Sequence, residues 1–133
     1  MPPANAIQPS KGARWTGRIL TGLVVLFCLL DGLGKFLRPQ PVIDAFAHLG
    51  IPASLSLPIG TLLAICSIVY AIPQTSILGA ILLTGFLGGA ISIHLRAGDP
   101  TFPIIFPAIF AILAWLALYL RNPSLRNLIP LRR

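Results

Sequence analysis

The stretch WTGRILTGLVVLFCLLDGLGKFL, residues 15–37, decides how this chain folds. A helix rises about 1.5 Å per residue, so a hydrocarbon layer about 30 Å thick is crossed by roughly 20 mostly apolar residues, and this run is long enough. It resembles the apolar part of a secretory signal. It is too long for one, however, and GKFLRP follows it where a small-residue cleavage site would stand. It therefore reads as an uncleaved first span, stopped by Pro39 and Pro41, which cannot continue helical hydrogen bonding.

The rest of the chain agrees. Of its 133 residues 56% are hydrophobic and only 10% charged, with a mean hydropathy of +0.88, whereas an ordinary soluble domain carries about 25% charged residues. Three more apolar segments follow, at about 53–72, 76–95 and 102–120. Pro103 and Pro107 fall in the first turns of the last, where proline is better tolerated. Between spans one and two, PVIDAFAHLGIP is too short and too polar to cross and reads as an interfacial helix or re-entrant loop. The expected fold is an all-α bundle of four transmembrane helices over residues 15–120. A mobile N-terminal tail (1–14) and a basic C-terminal tail (121–133) flank it, leaving no room for a soluble domain.

Four spans put both chain ends on one side. Lys11, Arg14, Arg18, Arg121, Arg126, Arg132 and Arg133 lie there and account for the whole net charge of +7. On the other side Lys35, Arg38 and Arg96 balance Asp31, Asp44 and Asp99. The positive-inside rule then places both termini in the cytoplasm of a bacterial inner membrane. Trp15, Tyr70, Trp115 and Tyr119 fall near the same face, as an aromatic belt would. Topology explains the basic charge, and no basic face interleaved with aromatics points to nucleic acid.

Every acid and both histidines, His48 and His94, gather at the opposite rim. Asp31 precedes Lys35 by four residues, so the two share a helix face in the favourable order. Asp31 lies roughly 9 Å inside its helix end, deep enough to need a partner. The candidates are Lys35, Arg38, His94 and Arg96. The cluster Asp31, Lys35, His94, Arg96 and Asp99 is read either as a structural ion-pair set or as the polar edge of a ligand site. Gly32 and Gly34 would admit a close backbone or ligand. Gly85, Gly88 and Gly89, with GxxxG spacing at 85 and 89, are expected to pack helices, within the bundle or at a homodimer face.

The histidines and acids have no metal-ligand spacing, and Ser54, Ser56, Ser67 and Ser92 have no visible base and read as packing hydroxyls. Cys28 and Cys66 sit at depths differing by roughly 6 Å, which disfavours a disulfide and makes them buried apolar groups. No catalytic residue set and no intrinsic cofactor site is evident.

The segments WTGRILTGLVVLFCLLDGLGKF, AFAHLGIPASL, YAIPQTSILGAILLTGFLGGAISIHLRAGDP and LYLRNP together resemble the DoxX-like family of small bacterial four-span proteins. The resemblance runs from about Trp15 to Leu131 and implies a four-helix membrane bundle. It also implies an association with redox complexes, the founder of the wider family being a membrane subunit of a thiosulfate:quinone oxidoreductase. Asp31, Lys35, His94, Arg96 and Asp99 match its polar positions. Leu63 and Gln74 depart from it, standing where relatives often carry glutamate and arginine. Three functions follow as expectations. The first is a non-catalytic accessory subunit or ligand-binding bundle for a quinone or lipid-like molecule. The second is the membrane subunit of a quinone-linked redox enzyme with a membrane or periplasmic partner, and the third a small proton-coupled transporter.

Overall fold

The computed structural model describes residues 8–128. Four long helices carry the fold: α1 (Lys11–Leu37), α3 (Ser56–Ala71, entered through a 3₁₀ turn at Ala53–Leu55), α4 (Ser76–Ala97) and α5 (Thr101–Arg121). Each is long and apolar enough to cross a membrane, and no strand occurs among the described residues. Two short helices join them, α2 (Gln40–His48) before α3 and α6 (Pro123–Arg126) after α5. At nine residues, α2 spans only about 13 Å and cannot cross.

The helix ends follow from local chemistry. Ser10 caps α1, its Oγ accepting the Ala13 N–H, so the helix starts at Lys11 rather than Trp15. Residues 11–14 are thus helical, and the rest of the expected mobile tail up to residue 7 lies outside the described residues. At the other end Arg38 turns left-handed, with φ of 49°. Pro39 then deprives the Lys35 carbonyl of its helical donor. The Ser56 hydroxyl replaces that donor from α3 at 2.6 Å. Pro107 lies inside α5 rather than in its first turn, and it leaves the Pro103 carbonyl without a helical partner.

Helix α1 packs against α3 and α5, and α4 packs against the same two, which closes a ring with α1 opposite α4. The tight half of this ring is the end that holds the chain termini. There Val24 and Cys28 meet Leu63, Cys66, Tyr70, Ala80, Leu83, Ala114 and Leu118, all buried. Tyr70 has no exposed surface and its hydroxyl donates to the Ala114 carbonyl at 2.8 Å. It is therefore a core residue and not part of an aromatic belt. Cys28 and Cys66 are free thiols within this core. The start of the expected basic tail also belongs here: Leu125 is buried, and Arg126 folds back to donate to the Tyr119 and Leu120 carbonyls at the end of α5.

Backbones touch where a side chain would not fit. A Cβ on Gly79 would lie 2.2 Å from Tyr70 Cα, one on Gly17 2.8 Å from the Ala117 carbonyl oxygen, and one on Gly60 3.0 Å from the Gly32 oxygen. Gly85, Gly88 and Gly89 do not take this part, since nothing lies within 4 Å of the corresponding positions. The GxxxG stripe is not an intramolecular packing surface, and that expectation is corrected. Gly79→Ala should therefore lower stability in detergent by about 3 kcal/mol or more, because the obstacle is backbone that cannot step aside. Gly88→Ala, in open space, should stay within about 0.5 kcal/mol of the parent. Thermal and denaturant unfolding of the two variants checks the contrast.

Candidate functional site

Away from the termini the four helices part around a cavity of about 770 Å³, a size typical of small-molecule sites. Its walls are mainly apolar. One is aromatic: Phe102, Phe106 and Phe110 recur every four residues along one face of α5, and Phe27 of α1 joins them. Phe27 stacks on Phe110 with centroids 4.1 Å apart and meets Phe106 edge-on at 5.2 Å. The opposite wall is α4, where Gly85 and Gly89 leave the space that side chains would fill. Helix α2 covers the rim with Pro41, Val42, Ala45 and Phe46, while its polar Asp44 is held by Gln40 at 2.8 Å.

Of the five polar residues expected to cluster, three line this cavity: Asp31, Lys35 and His94. Lys35 Nζ donates to Asp31 Oδ2 at 2.6 Å across one helical turn, so Lys35 is the partner that Asp31 needs. Arg96 and Asp99 lie off the cavity wall and do a different job. Both α2 and α4 end in the same turn, with a left-handed glycine (Gly50, φ of 71°; Gly98, φ of 72°). In α4 the Gly98 N–H reaches the Leu95 carbonyl and the Asp99 N–H the His94 carbonyl. In α2 Gly50 reaches Ala47 and Ile51 reaches Phe46. This doubly bonded C-terminal turn needs a residue with positive φ, which glycine adopts without steric cost.

These two turns meet. Arg96 Nη2 donates to the Leu49 carbonyl at 2.6 Å, placing a cation where two helix C-termini bring partial negative charge together. The α4 turn also returns the Asp99 carboxylate to its own helix, where His94 Nδ1–H donates to Oδ2 at 2.5 Å. The second oxygen, Oδ1, accepts from His48 Nε2–H at the end of α2. Asp99 is thus a clasp between α2 and α4, with 7% of its side chain exposed. Each imidazole meets a separate carboxylate oxygen, so the three groups are arranged as hydrogen-bond partners and not around a common centre. Since Asp99 engages Nδ1 of His94, Nε2 is the ring nitrogen without a hydrogen-bond partner among the described residues. The phenylalanine wall was missed in the sequence, although its four-residue spacing was a signal. Topology put His48 at the same rim as Asp99 but not in the cluster, and 51 positions of separation gave no interval to pair them.

Hydrogen bonds from His48 first, and His94 second, hold the Asp99 carboxyl below its ordinary range. A carboxyl whose pKa is depressed in the folded state stabilises that state above its unfolded value, and the contribution is lost as pH falls through the depressed one. Melting temperature in detergent should therefore fall on acidification below the ordinary carboxylate range. Asp99→Asn should start lower at neutral pH and fall less steeply, its clasp being weakened already. An equally steep acid slope in the variant would overturn the assignment to Asp99.

A sequence model of the DoxX-like family matches residues 19–117, from the first helix through most of α5. Neither curated proteins nor solved structures gave a match. With the match covering most of the chain and four helices able to cross a membrane, this protein belongs to the DoxX-like family as a multi-pass membrane protein.

Proposed function

We propose that the protein is a non-catalytic, ligand-binding membrane bundle whose cavity takes a quinone or lipid-like molecule, serving as an accessory component beside other membrane proteins. The observation that carries this reading is the cavity itself: aromatic and aliphatic walls, with Asp31, Lys35 and His94 as polar groups on its lining. An apolar pocket with a few placed polar groups suits a mostly hydrocarbon molecule bearing an oxygen-rich head. The Lys35 ammonium donates hydrogen bonds, and His94, engaged at Nδ1 by Asp99, keeps Nε2 as a second polar point. A carbonyl and a hydroxyl on one ligand head would satisfy both.

The orientation belongs to the same proposal. Lys11, Arg14, Arg18, Arg121 and Arg126 all lie at the tight end of the bundle, and the positive-inside rule turns that end, with both chain termini, toward the cytoplasm. The cavity then faces the outer half of the membrane. Impermeant labelling of single cysteines placed at Ser10 and Asn127 should protect both in intact cells.

Purification in mild detergent followed by solvent extraction and mass spectrometry should recover a quinone or lipid at near-stoichiometric amounts. Gly89→Leu, which fills the cavity from α4, should lose it while melting close to the parent. Lys35→Met should weaken retention by about tenfold, the usual scale for one charge-assisted hydrogen bond. Recovery of the same molecules at the same ratio from Gly89→Leu would end the proposal.

A further inference from the structure

A second pocket, of about 360 Å³, lies at the opposite end of the molecule. It is formed where the α3–α4 connection meets the end of α5, and is lined by Gln74, Ser76, Ile77, Leu118, Arg121 and Asn122 among others. The Arg121 stem is trapped: its Cγ occupies the space a side chain at Gly17 would need, 2.3 Å from the Cβ position. Its Nε is buried and has no hydrogen-bond partner among the described residues. Such a group carries a desolvation cost that the native fold normally offsets with an acceptor. No side-chain carboxylate can supply one here, because the chain's three acids, Asp31, Asp44 and Asp99, all belong to the other end.

The side-chain amides of Asn122 and Gln74 add donors. The Asn122 Oδ1 is engaged by the Ser124 N–H at 3.1 Å, so the amide NH₂ is its free end. The Ser76 hydroxyl is already donated to the Ile72 carbonyl at 2.9 Å. Helix α4 is entered at this pocket through a 3₁₀ turn at Pro73–Thr75. A guanidinium and two side-chain amides, with no acid among them, make a site for an oxyanion.

We propose that this pocket binds a phosphate group, and that its source is the headgroup of an acidic phospholipid. The apolar lining favours the lipid over a soluble phosphate: Ile77 at the pocket is exposed, and Ile81, one turn further along the same face, is exposed as well. An acyl chain laid along these two leaves its phosphate beside Arg121. This site is separate from the cavity of the proposed function and does not depend on it.

The test uses the full chain in mild detergent, measuring lipid adducts by native mass spectrometry and thermal shift. Phosphatidylglycerol is compared with phosphatidylcholine at equal mole fraction. The parent should prefer phosphatidylglycerol, and Arg121→Gln should reduce that preference by about tenfold. Gln74→Leu, which leaves Arg121 in place, should reduce it less and guards against a folding defect in the first variant. Arg18→Gln removes the same charge from the same end outside the pocket and should leave the preference largely intact. Equal loss in Arg18→Gln and Arg121→Gln would mean diffuse attraction to a charged surface and would overturn the site, as would the absence of any preference in the parent. Excess inorganic phosphate should not displace the lipid. Displacement would overturn the lipid source and assign the pocket to a soluble phosphate compound.

Discussion

Hydrocarbon gives a helix no hydrogen-bond partner and no hydrophobic reward for touching another helix. Association inside a bilayer has to come from close packing and from the few polar contacts a chain retains. This bundle meets that requirement unevenly. At the end holding the termini, Gly17 and Gly79 let backbones approach to distances no side chain permits. The Tyr70 hydroxyl bonds across to α5 in the same half. At the other end α1 and α3 stay together through Gly60 against Gly32 and the Ser56 bond to the Lys35 carbonyl, while α2 and α4 are joined by side-chain hydrogen bonds around Asp99 and Arg96. The hollow opens between these two joined pairs.

Proline shapes this plan as much as glycine. Pro39 frees the carbonyl that Ser56 then binds, which ties the end of α1 to the start of α3. Pro107 does the same to the Pro103 carbonyl, and both residues line the cavity. A broken helical bond at membrane depth is tolerated where protein or a filled cavity surrounds it, and is costly against lipid. Pro107 meets that condition, being buried within the bundle.

Much of this was legible from composition and spacing. The four crossings follow from apolar run length, α2 from its polarity and brevity, and the Asp31–Lys35 pair from a four-residue interval on one face. What stayed hidden has a common cause: sequence gives the spacing along a helix but not which way a face points. Gly85 and Gly89 have the interval of a packing motif and instead border empty space. Gly79, which has no such motif, carries the closest approach. Tyr70 sits near a helix end, as a belt residue would, yet faces inward. The His48–Asp99 contact depends on two helices ending side by side, and no interval in the chain announces it.

The fully excluded side chains just beneath the aromatic wall have a consequence for permeability. Val24, Leu83 and Ala114 have no accessible surface, and Leu63 has 1%. They come from all four crossing helices, so in this conformation they form an unbroken dielectric plug. A proton or solute entering the hollow finds no wet route onward. In this conformation the cavity is therefore a cup closed toward the end that holds the termini.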